Sequence, residues 1–290
     1  MLIELNRIIA YIEEHLTDEE LTLEHIAAFA GISDYHLRNL FYYLSGITLS
    51  EYVKNRRLSE AARDLLNGEK VTDVALKYGY QSVEGFARAF KKWSGHLPSE
   101  AAKHGVARTF PKLSFVITVK GGIAMECRIV EKPAFFLAGV SKRVPMQFEG
   151  INQEIVKLAQ SITEEQRREM RALQDIEPYE IVNASWDADA RFLKEEGELT
   201  HMIGVLTTRS DISDRLDKVA VPASAWAVFP NEGPFPATLQ QTMANVYAQW
   251  LPASSYELVD APSFSFTKMD PQREGIAYSE VWVPVRKKGE

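Results

Sequence analysis

Two stretches near the start of the chain share one pattern, and few folds satisfy it. The first, Ile26–Gly46, reads IAAFAGISDYHLRNLFYYLSG, and the second, Val74–Gly95, reads VALKYGYQSVEGFARAFKKWSG. Ala27 and Gly31 stand four residues apart, as do Ala75 and Gly79. Leu37 and Phe41 repeat that spacing in the following segment, as do Phe86 and Phe90. A small alanine lets two helices approach closely, and a glycine accepts the left-handed turn that a side chain resists. The Leu/Phe pair then lays one apolar face of the next helix on a core. This is the pattern of a helix-turn-helix, whose second helix can enter a DNA major groove. Two copies joined by the helical stretch YVKNRRLSEAARDLL offer two groove readers in one chain.

The remaining signals place these units in an all-helical first part. LIELNRIIAYIEEHL sets Leu5, Ile8, Ile9, Ile12 and Leu16 on one helical face. Thr22, Ser33, Ser50, Thr72 and Ser82 are the expected helix starts, and Asn67-Gly68 the expected end of the joining helix. Pro98 suits an early helical position. After about Lys103 the periodicity changes. Residues 108–123 read as a linker, with LSFVITVK as a candidate strand and Gly121-Gly122 as a hinge signal. From Met125 the order becomes strand, strand, helix, strand, strand, and then repeats. MECRIVEK, AFFLAGVSKR, YEIVNASW and HMIGVLTT are the strands of the first half. INQEIVKLAQSI is its helix, with Ile151, Ile155, Leu158 and Ile162 on one side. ASAWAVFP, SSYELVDA and AYSEVWVPV are the strands of the second half, and FPATLQQTMANVYAQWL is its helix. Lys132-Pro133-Ala134 and Val221-Pro222-Ala223 enter matching strands 222 − 133 = 89 residues apart, which indicates an internal duplication. The expected architecture is therefore multidomain: an all-α part over 1–107, a linker over 108–123, and a duplicated α+β part over 124–290.

Charge narrows the function. The 290-residue chain carries 33 Lys+Arg against 40 Asp+Glu, a net −7, which rules out a general polyanion binder. Residues 31–108 hold 12 basic and 8 acidic residues, a local +4, so any phosphate contacts are few and placed. The single cysteine, Cys127, excludes an internal disulfide framework and fits a reducing cytoplasm. The N-terminus lacks the basic and apolar blocks of a signal peptide, and no apolar run is long enough to span a membrane. Neither a metal-binding nor a catalytic motif is present, so no cofactor is expected.

On these residues the first ~105 positions resemble the DNA-binding domain of the AraC family of bacterial transcription regulators. Arg57, Leu58, Ala61 and Leu65 fall at positions of that family's connecting helix. Gly79, Ser82, Phe86, Phe90, Lys91, Gly95 and Pro98 match its second unit. The region from Met125 to Lys288 resembles a GyrI-like small-molecule-binding domain, on the duplicated plan and the closing AYSEVWVPV. The resemblance implies a transcription regulator, more often an activator, working on double-stranded promoter DNA together with RNA polymerase, and a ligand held between two pseudo-symmetric halves.

Candidate site residues follow. Tyr35, Arg38 and Asn39 match the family positions that reach base edges in the first unit, and Arg88 does so in the second. Arg suits guanine, Asn suits adenine, and Glu84 can accept from a cytosine amino group. Lys91 and Lys92 are candidate phosphate contacts. For each charge the competing reading is a solvated helix face. In AYSEVWVPV, strand alternation puts Tyr278, Glu280 and Trp282 on one face. An acid flanked by two large aromatics suits an organic cation or an aromatic molecule, against the plainer reading of a solvated edge strand. Trp186, Trp226 and Tyr179 are further candidates to line the same groove, with Phe148, Phe192, Phe229 and Phe235 behind them, though most large aromatics are core. His201 could also reach the cavity. Two alternatives remain for the C-terminal part: a hydrolase with Glu280 as general base, or a protein-interaction module.

Overall fold

The computed structural model describes residues 2–18, 21–104, 108–115, 125–147, 150–189 and 198–289. The described residues of 1–31 and 45–115 form one compact unit, and those of 32–44, 125–189 and 198–289 form another. Among the described residues no helix is long and apolar enough to cross a membrane.

The first unit is helical. It comprises α1 (Leu2–Glu14), α2 (Leu23–Ala30), α4 (Leu49–Leu66), α5 (Val71–Lys77), α6 (Val83–Ser94) and α7 (Pro98–His104). The apolar face expected of the first helix is buried, with Leu5, Ile8, Ile9, Ile12 and Leu16 all at most 5% exposed. Thr22 caps α2 by accepting the His25 N–H, and Ser82 caps α6 by accepting that of Gly85 at 3.1 Å. Gly31 and Gly79 follow α2 and α5 with φ of 67° and 79°, the left-handed turn that their lack of a side chain permits. Two expected starts move. Thr48, in extended conformation, caps α4 by accepting the Glu51 N–H, so Ser50 lies inside the helix. α5 starts after Lys70 without a side-chain cap, so Thr72 is likewise internal. Leu58, Ala61, Leu65, Phe86 and Phe90 share one core with Val74, Ala75 and Tyr78.

Polar ties hold α4 within this unit. Arg56 bonds Glu13 and Glu60, and the buried Arg57 donates to the Leu16 and Asp18 carbonyls. The stretch expected as a linker is strapped down where it is described. Arg108 donates to the Trp93 carbonyl, the Phe110 N–H to Ser59, and Phe115 exchanges two hydrogen bonds with Asn6. Residues 113–115 of LSFVITVK are not in a strand; the rest of that stretch and Gly121-Gly122 lie outside the described residues.

The second unit contains a nine-stranded antiparallel sheet. In chain order its elements are α3 (Asp34–Ser45), β1 (Arg128–Lys132), β2 (Phe135–Pro145), α8 (Gln153–Ser161), α9 (Glu164–Leu173), β3 (Val182–Asp189), β4 (Glu198–Thr207), β5 (Asp217–Val221), β6 (Ser224–Pro234), α10 (Ala237–Asn245), a π-helical turn (Val246–Trp250), α11 (Leu251–Ala253), β7 (Tyr256–Leu258), β8 (Ser263–Met269) and β9 (Ile276–Lys287). The strand order is β1-β6-β9-β8-β3-β4-β2-β5, with β7 pairing β9. Exchanging β1 with β5, β2 with β6, β3 with β8 and β4 with β9 reverses that order, which is the two-fold relation a duplication produces. The offset is the one visible in the sequence: 217 − 128 = 89 and 224 − 135 = 89. Each half lends its short first strand to the other, so β1 pairs β6 and β5 pairs β2.

Three details differ from expectation. The counterpart of β3 in the second half is β8, SFSFTKM, whereas SSYELVDA supplies only the three-residue β7. A second helix, α9, follows α8; it buries only Met170 and Leu173, a stripe too narrow to mark it by periodicity. Ile151 is 54% exposed because it precedes the Asn152 cap of α8 instead of lying on its inner face.

Strand alternation gives the sheet two unlike faces. On one, Ala138, Ile203 and Val205 pack beneath α8 and α9 through Leu158, Ile162, Met170 and Leu173. On the other, Phe135, Leu137, Trp226, Phe264, Phe266 and Trp282 form the aromatic core of the sheet.

Candidate functional site

The aromatic face holds most of the expected ligand residues. Glu280 is 5% exposed and Trp282 2% exposed. The Glu280 carboxylate accepts the Tyr278 hydroxyl at 2.7 Å and Trp282 Nε1–H at 3.0 Å, so the three side chains do share a face. Arg128 of β1 completes the group: its Nη2 donates to both Glu280 oxygens at 2.7 Å, and its guanidinium lies 5.6 Å from the Trp282 ring centroid. Lys132 Nζ sits 4.9 Å from the same ring and donates to the Glu177 carbonyl. Burial pulls the Lys132 pKa down, with Glu177 opposing the shift. Burial first, and then the carboxylate of Glu280, push the Tyr278 hydroxyl up to about 12.

Trp226 is fully buried, with Phe264 and Phe135 at 4.9 and 5.8 Å between ring centroids. Trp186 packs half-buried against the same core. Tyr179 is 59% exposed on the segment between α9 and β3 and stands apart from that cluster. Phe229 is buried against Trp250, and Phe235 is exposed; Phe148 and Phe192 lie outside the described residues. Sequence reasoning missed Arg128 and Lys132. The alternation Arg128, Val130, Lys132 on the strand paired with Trp226 was the available signal.

The expected DNA-reading residues fall into two states. α6 buries Phe86, Phe90 and Trp93 and leaves Glu84, Arg88, Lys91 and Lys92 exposed, as a groove-reading helix requires. α3 is different: every residue from Tyr35 to Phe41 is buried, with Tyr35 and Arg38 at 7% and Asn39 at 4% exposure. Within the second unit Tyr35 packs on Val144 and Leu199. His36 Nδ1 meets the Tyr247 hydroxyl at 2.9 Å, and the Tyr43 ring stacks on that of Tyr247 at 5.7 Å. Burial lowers the His36 pKa to about 4, against the raising effect of the Ala261 and Val259 carbonyls.

His201 lies on the helix-bearing face. It is 5% exposed, with Nδ1 at 2.9 Å from the Ser185 hydroxyl and Nε2 at 3.2 Å from Asn183 Oδ1. Burial lowers its pKa to about 4. Among the described residues no three His, Cys, Asp or Glu side chains converge as a metal site would need.

Comparison with known proteins resolves the kinship. A helix-turn-helix domain model matches residues 26–104, and the GyrI-like small molecule binding domain matches residues 125–286, more than half of the chain. The HTH-type transcriptional activator AarP of Providencia stuartii is 38% identical over 96 residues, which are 33% of this chain and 70% of AarP. The chain belongs to the AraC family of transcription regulators, with a GyrI-like small-molecule-binding domain. The right origin-binding protein of Escherichia coli K12 is 38% identical over 93 residues, 32% of each chain, so the match spans about a third of that protein. A structure of SAV2435 bound to tetraphenylphosphonium aligns with 56% of this chain and 94% of its own, at 20% identity and a TM-score of 0.42.

Proposed function

We propose that this regulator reads double-stranded promoter DNA with Tyr35, Arg38 and Asn39 on α3 and with Glu84, Arg88, Lys91 and Lys92 on α6. In this reading residues 1–107 carry DNA binding and residues 124–290 carry control by a small cationic or aromatic effector, received on the face of Tyr278, Glu280 and Trp282 with Trp186 at its side and Trp226 buried behind it, while Tyr179 lies outside the site. The expected output is activation through RNA polymerase in the cytoplasm.

The observation that carries the effector reading is the Arg128–Glu280 pair. A buried carboxylate is costly without a cation, and here the chain supplies its own, a planar guanidinium set against an indole ring. Arg128 is 47% exposed in its side chain, so it can swing into water while an organic cation takes its place. Such an exchange keeps Glu280 neutralised throughout. A hydrolytic role is less well supported, because Glu280 already accepts four hydrogen bonds from Arg128, Tyr278 and Trp282 and is poorly placed to take a proton from water.

The two helix-turn-helix units also suggest how control is exerted. α6 presents its polar face, while the polar face of α3 is buried. A state in which α3 is withheld from DNA and a state in which it reads DNA differ in the burial of Tyr35, Arg38 and Asn39, and an effector acts by preferring one of them. Calorimetric titration of the full chain with benzyltrimethylammonium and with its neutral isostere neopentylbenzene tests the effector class. The cation is expected to bind more tightly, and equal affinities would remove the charge-based reading.

A further inference from the structure

We propose that Lys132 is an anion site within the effector face. Together with the reading of Glu280 as the partner of an organic cation, on which this step rests, it makes the effector a zwitterion: an aromatic spacer with a cationic group at Glu280 and a carboxylate at Lys132.

Lys132 is a charge where the fold asks for none. It ends β1 on the aromatic face and is 6% exposed. A lysine is seldom buried unless an acid pairs with it. Among the described residues no carboxylate comes within ion-pair distance of Lys132, and its hydrogen bond goes to the backbone carbonyl of Glu177. The carboxylate of Glu177, an exposed residue, acts from farther away, and burial outweighs it in lowering the Lys132 pKa. Its neighbours set against rings do have acids. Arg128 has Glu280 at 2.7 Å, and Lys268, 5.6 Å from the Phe266 centroid, has Glu180 at 2.6 Å. The duplication supplies the control. Val221 is the counterpart of Lys132, since 221 − 132 = 89, and it is 1% exposed in the same aromatic core. An apolar side chain therefore satisfies this position in the other half, and packing does not require the ammonium.

Geometry ties this unpaired charge to the effector. Phe264 stacks on the Trp282 indole at 5.4 Å between centroids, so Arg128 and Lys132 share what remains of that ring, at 5.6 and 4.9 Å from its centroid. The two cations are therefore no farther apart than those distances together. Arg128, 47% exposed in its side chain, is the group whose departure opens the space beside Lys132. A ligand cation that takes its place at Glu280 is left next to the Lys132 ammonium, with two positive charges facing one acid. In a partly desolvated site that repulsion opposes a simple organic cation. A carboxylate on the same molecule relieves it and fills the remaining donor capacity of an ammonium with three N–H groups. A benzene ring that carries the two groups para to each other keeps them within the available span.

Calorimetry on the full chain tests the site with benzyltrimethylammonium, 4-(trimethylammoniomethyl)benzoate, the methyl ester of that zwitterion, and 4-neopentylbenzoate. The zwitterion is expected to bind about tenfold more tightly than its ester, the effect of one charge-assisted hydrogen bond. Lys132→Val, which borrows the side chain of the other half, should make the two bind alike and should tighten benzyltrimethylammonium. Lys132→Arg should keep the zwitterion ahead. If zwitterion and ester bind the parent chain alike, or if the advantage survives Lys132→Val, Lys132 is not an anion site, whatever benzyltrimethylammonium does. The first of these comparisons uses the parent chain alone, so it decides the matter even where a substituted chain fails to fold. The cation reading fails separately. Benzyltrimethylammonium would then bind no better than neopentylbenzene, while 4-neopentylbenzoate would still outbind its own methyl ester and lose that advantage in Lys132→Val, and the anion site would stand.

Discussion

Replacing Arg128 by Met isolates the role assigned to the resident cation. Methionine keeps an unbranched chain over Trp282 and removes the guanidinium that bonds both Glu280 oxygens at 2.7 Å. The loss can be bracketed from exposure. Glu280 is 7% exposed in its side chain and Arg128 47%. Fully exposed pairs contribute about 0.2–1 kcal/mol, and breaking a fully buried one costs about 3–5 kcal/mol. A half-screened pair with a buried acid falls between, at about 2 kcal/mol. The variant should therefore unfold about 2 kcal/mol more easily in urea, since Glu280 keeps only the Tyr278 and Trp282 donors. The same quantity should reappear in binding. In the parent, benzyltrimethylammonium must displace Arg128; in the variant it meets a vacant carboxylate. Its affinity should rise about 10- to 30-fold by calorimetry, each 1.4 kcal/mol being a factor of about ten, with neopentylbenzene changed little. Glu280→Gln in the Arg128→Met background should erase the gain. If the neutral isostere gains as much as the cation, Arg128 blocks space and does not neutralise charge. If neither gains, organic cations do not use this face at all.

Further expectations concern the helices and the buried histidines. Arg88→Ala should cost ~1–3 kcal/mol on a duplex selected by the full chain and little on random DNA, whereas Lys91→Ala should weaken both and flatten the salt slope by about one unit; equal losses for Arg88→Ala on both duplexes would reduce it to a phosphate contact. Tyr247→Phe deletes the hydroxyl that meets His36 at 2.9 Å. At about 1 kcal/mol for that bond, the burial of α3 weakens and affinity for the selected duplex should rise up to ~5-fold by anisotropy; an unchanged affinity would show that α3 release does not limit binding. His36 and His201 each have a pKa near 4 in the folded chain against the ordinary 6.5. Between those values the unfolded chain binds more protons, so stability is complete above about pH 6.5 and declines toward pH 4, by at most about 3 kcal/mol per histidine. Urea midpoints that stay flat or rise across that acid range would contradict the assignment of both rings as neutral. Trp226→Ala should cost about 3–5 kcal/mol, because the ring is fully buried in the core; a loss under about 1 kcal/mol would show that the ring lines an open groove.

Local patterns made much of this chain legible. The repeated Ala/Gly and Leu/Phe spacings mark helix-turn-helix units because those positions serve a fold formed from neighbouring residues. The 89-residue offset marks the duplication because β1 and β5, and β2 and β6, have matching lengths. β8 was equally readable in principle: SFSFTKM alternates Ser and Phe with a strand's period of two, and the expected strand was placed instead on the preceding SSYELVDA. α9 carried a capping box, Thr163 with Gln166, which outlasts a weak apolar stripe as a helix signal. The pairing of Arg128 with Glu280 spans 152 residues. Nothing local to either residue announces it, since it depends on β1 crossing to the other half of the sheet.

The burial of α3 is the deepest departure from what a sequence pattern can carry. Leu37 and Phe41 mark one inward face, and Tyr35, Arg38 and Asn39 read as positions that reach base edges. On the proposed reading, in which α3 is buried in one state and reads DNA in another, the helix must keep side chains suited to the wetter state, because a greasy face would be costly there. Its partner must then tolerate polar groups, and the sheet does so with Asn183, Ser185, His201, Ser263 and Ser265 beneath the helix. The fit is correspondingly imperfect. Ser263 Oγ and Asn39 Nδ2 approach the Tyr247 hydroxyl without good bonding geometry, where a permanent core would have replaced them with hydrocarbon or satisfied them. Those poorly met groups make the burial of α3 weaker than its enclosed area implies. A contact of that kind can be reversed by a small molecule or by DNA, and reversibility is what a regulator's control element requires.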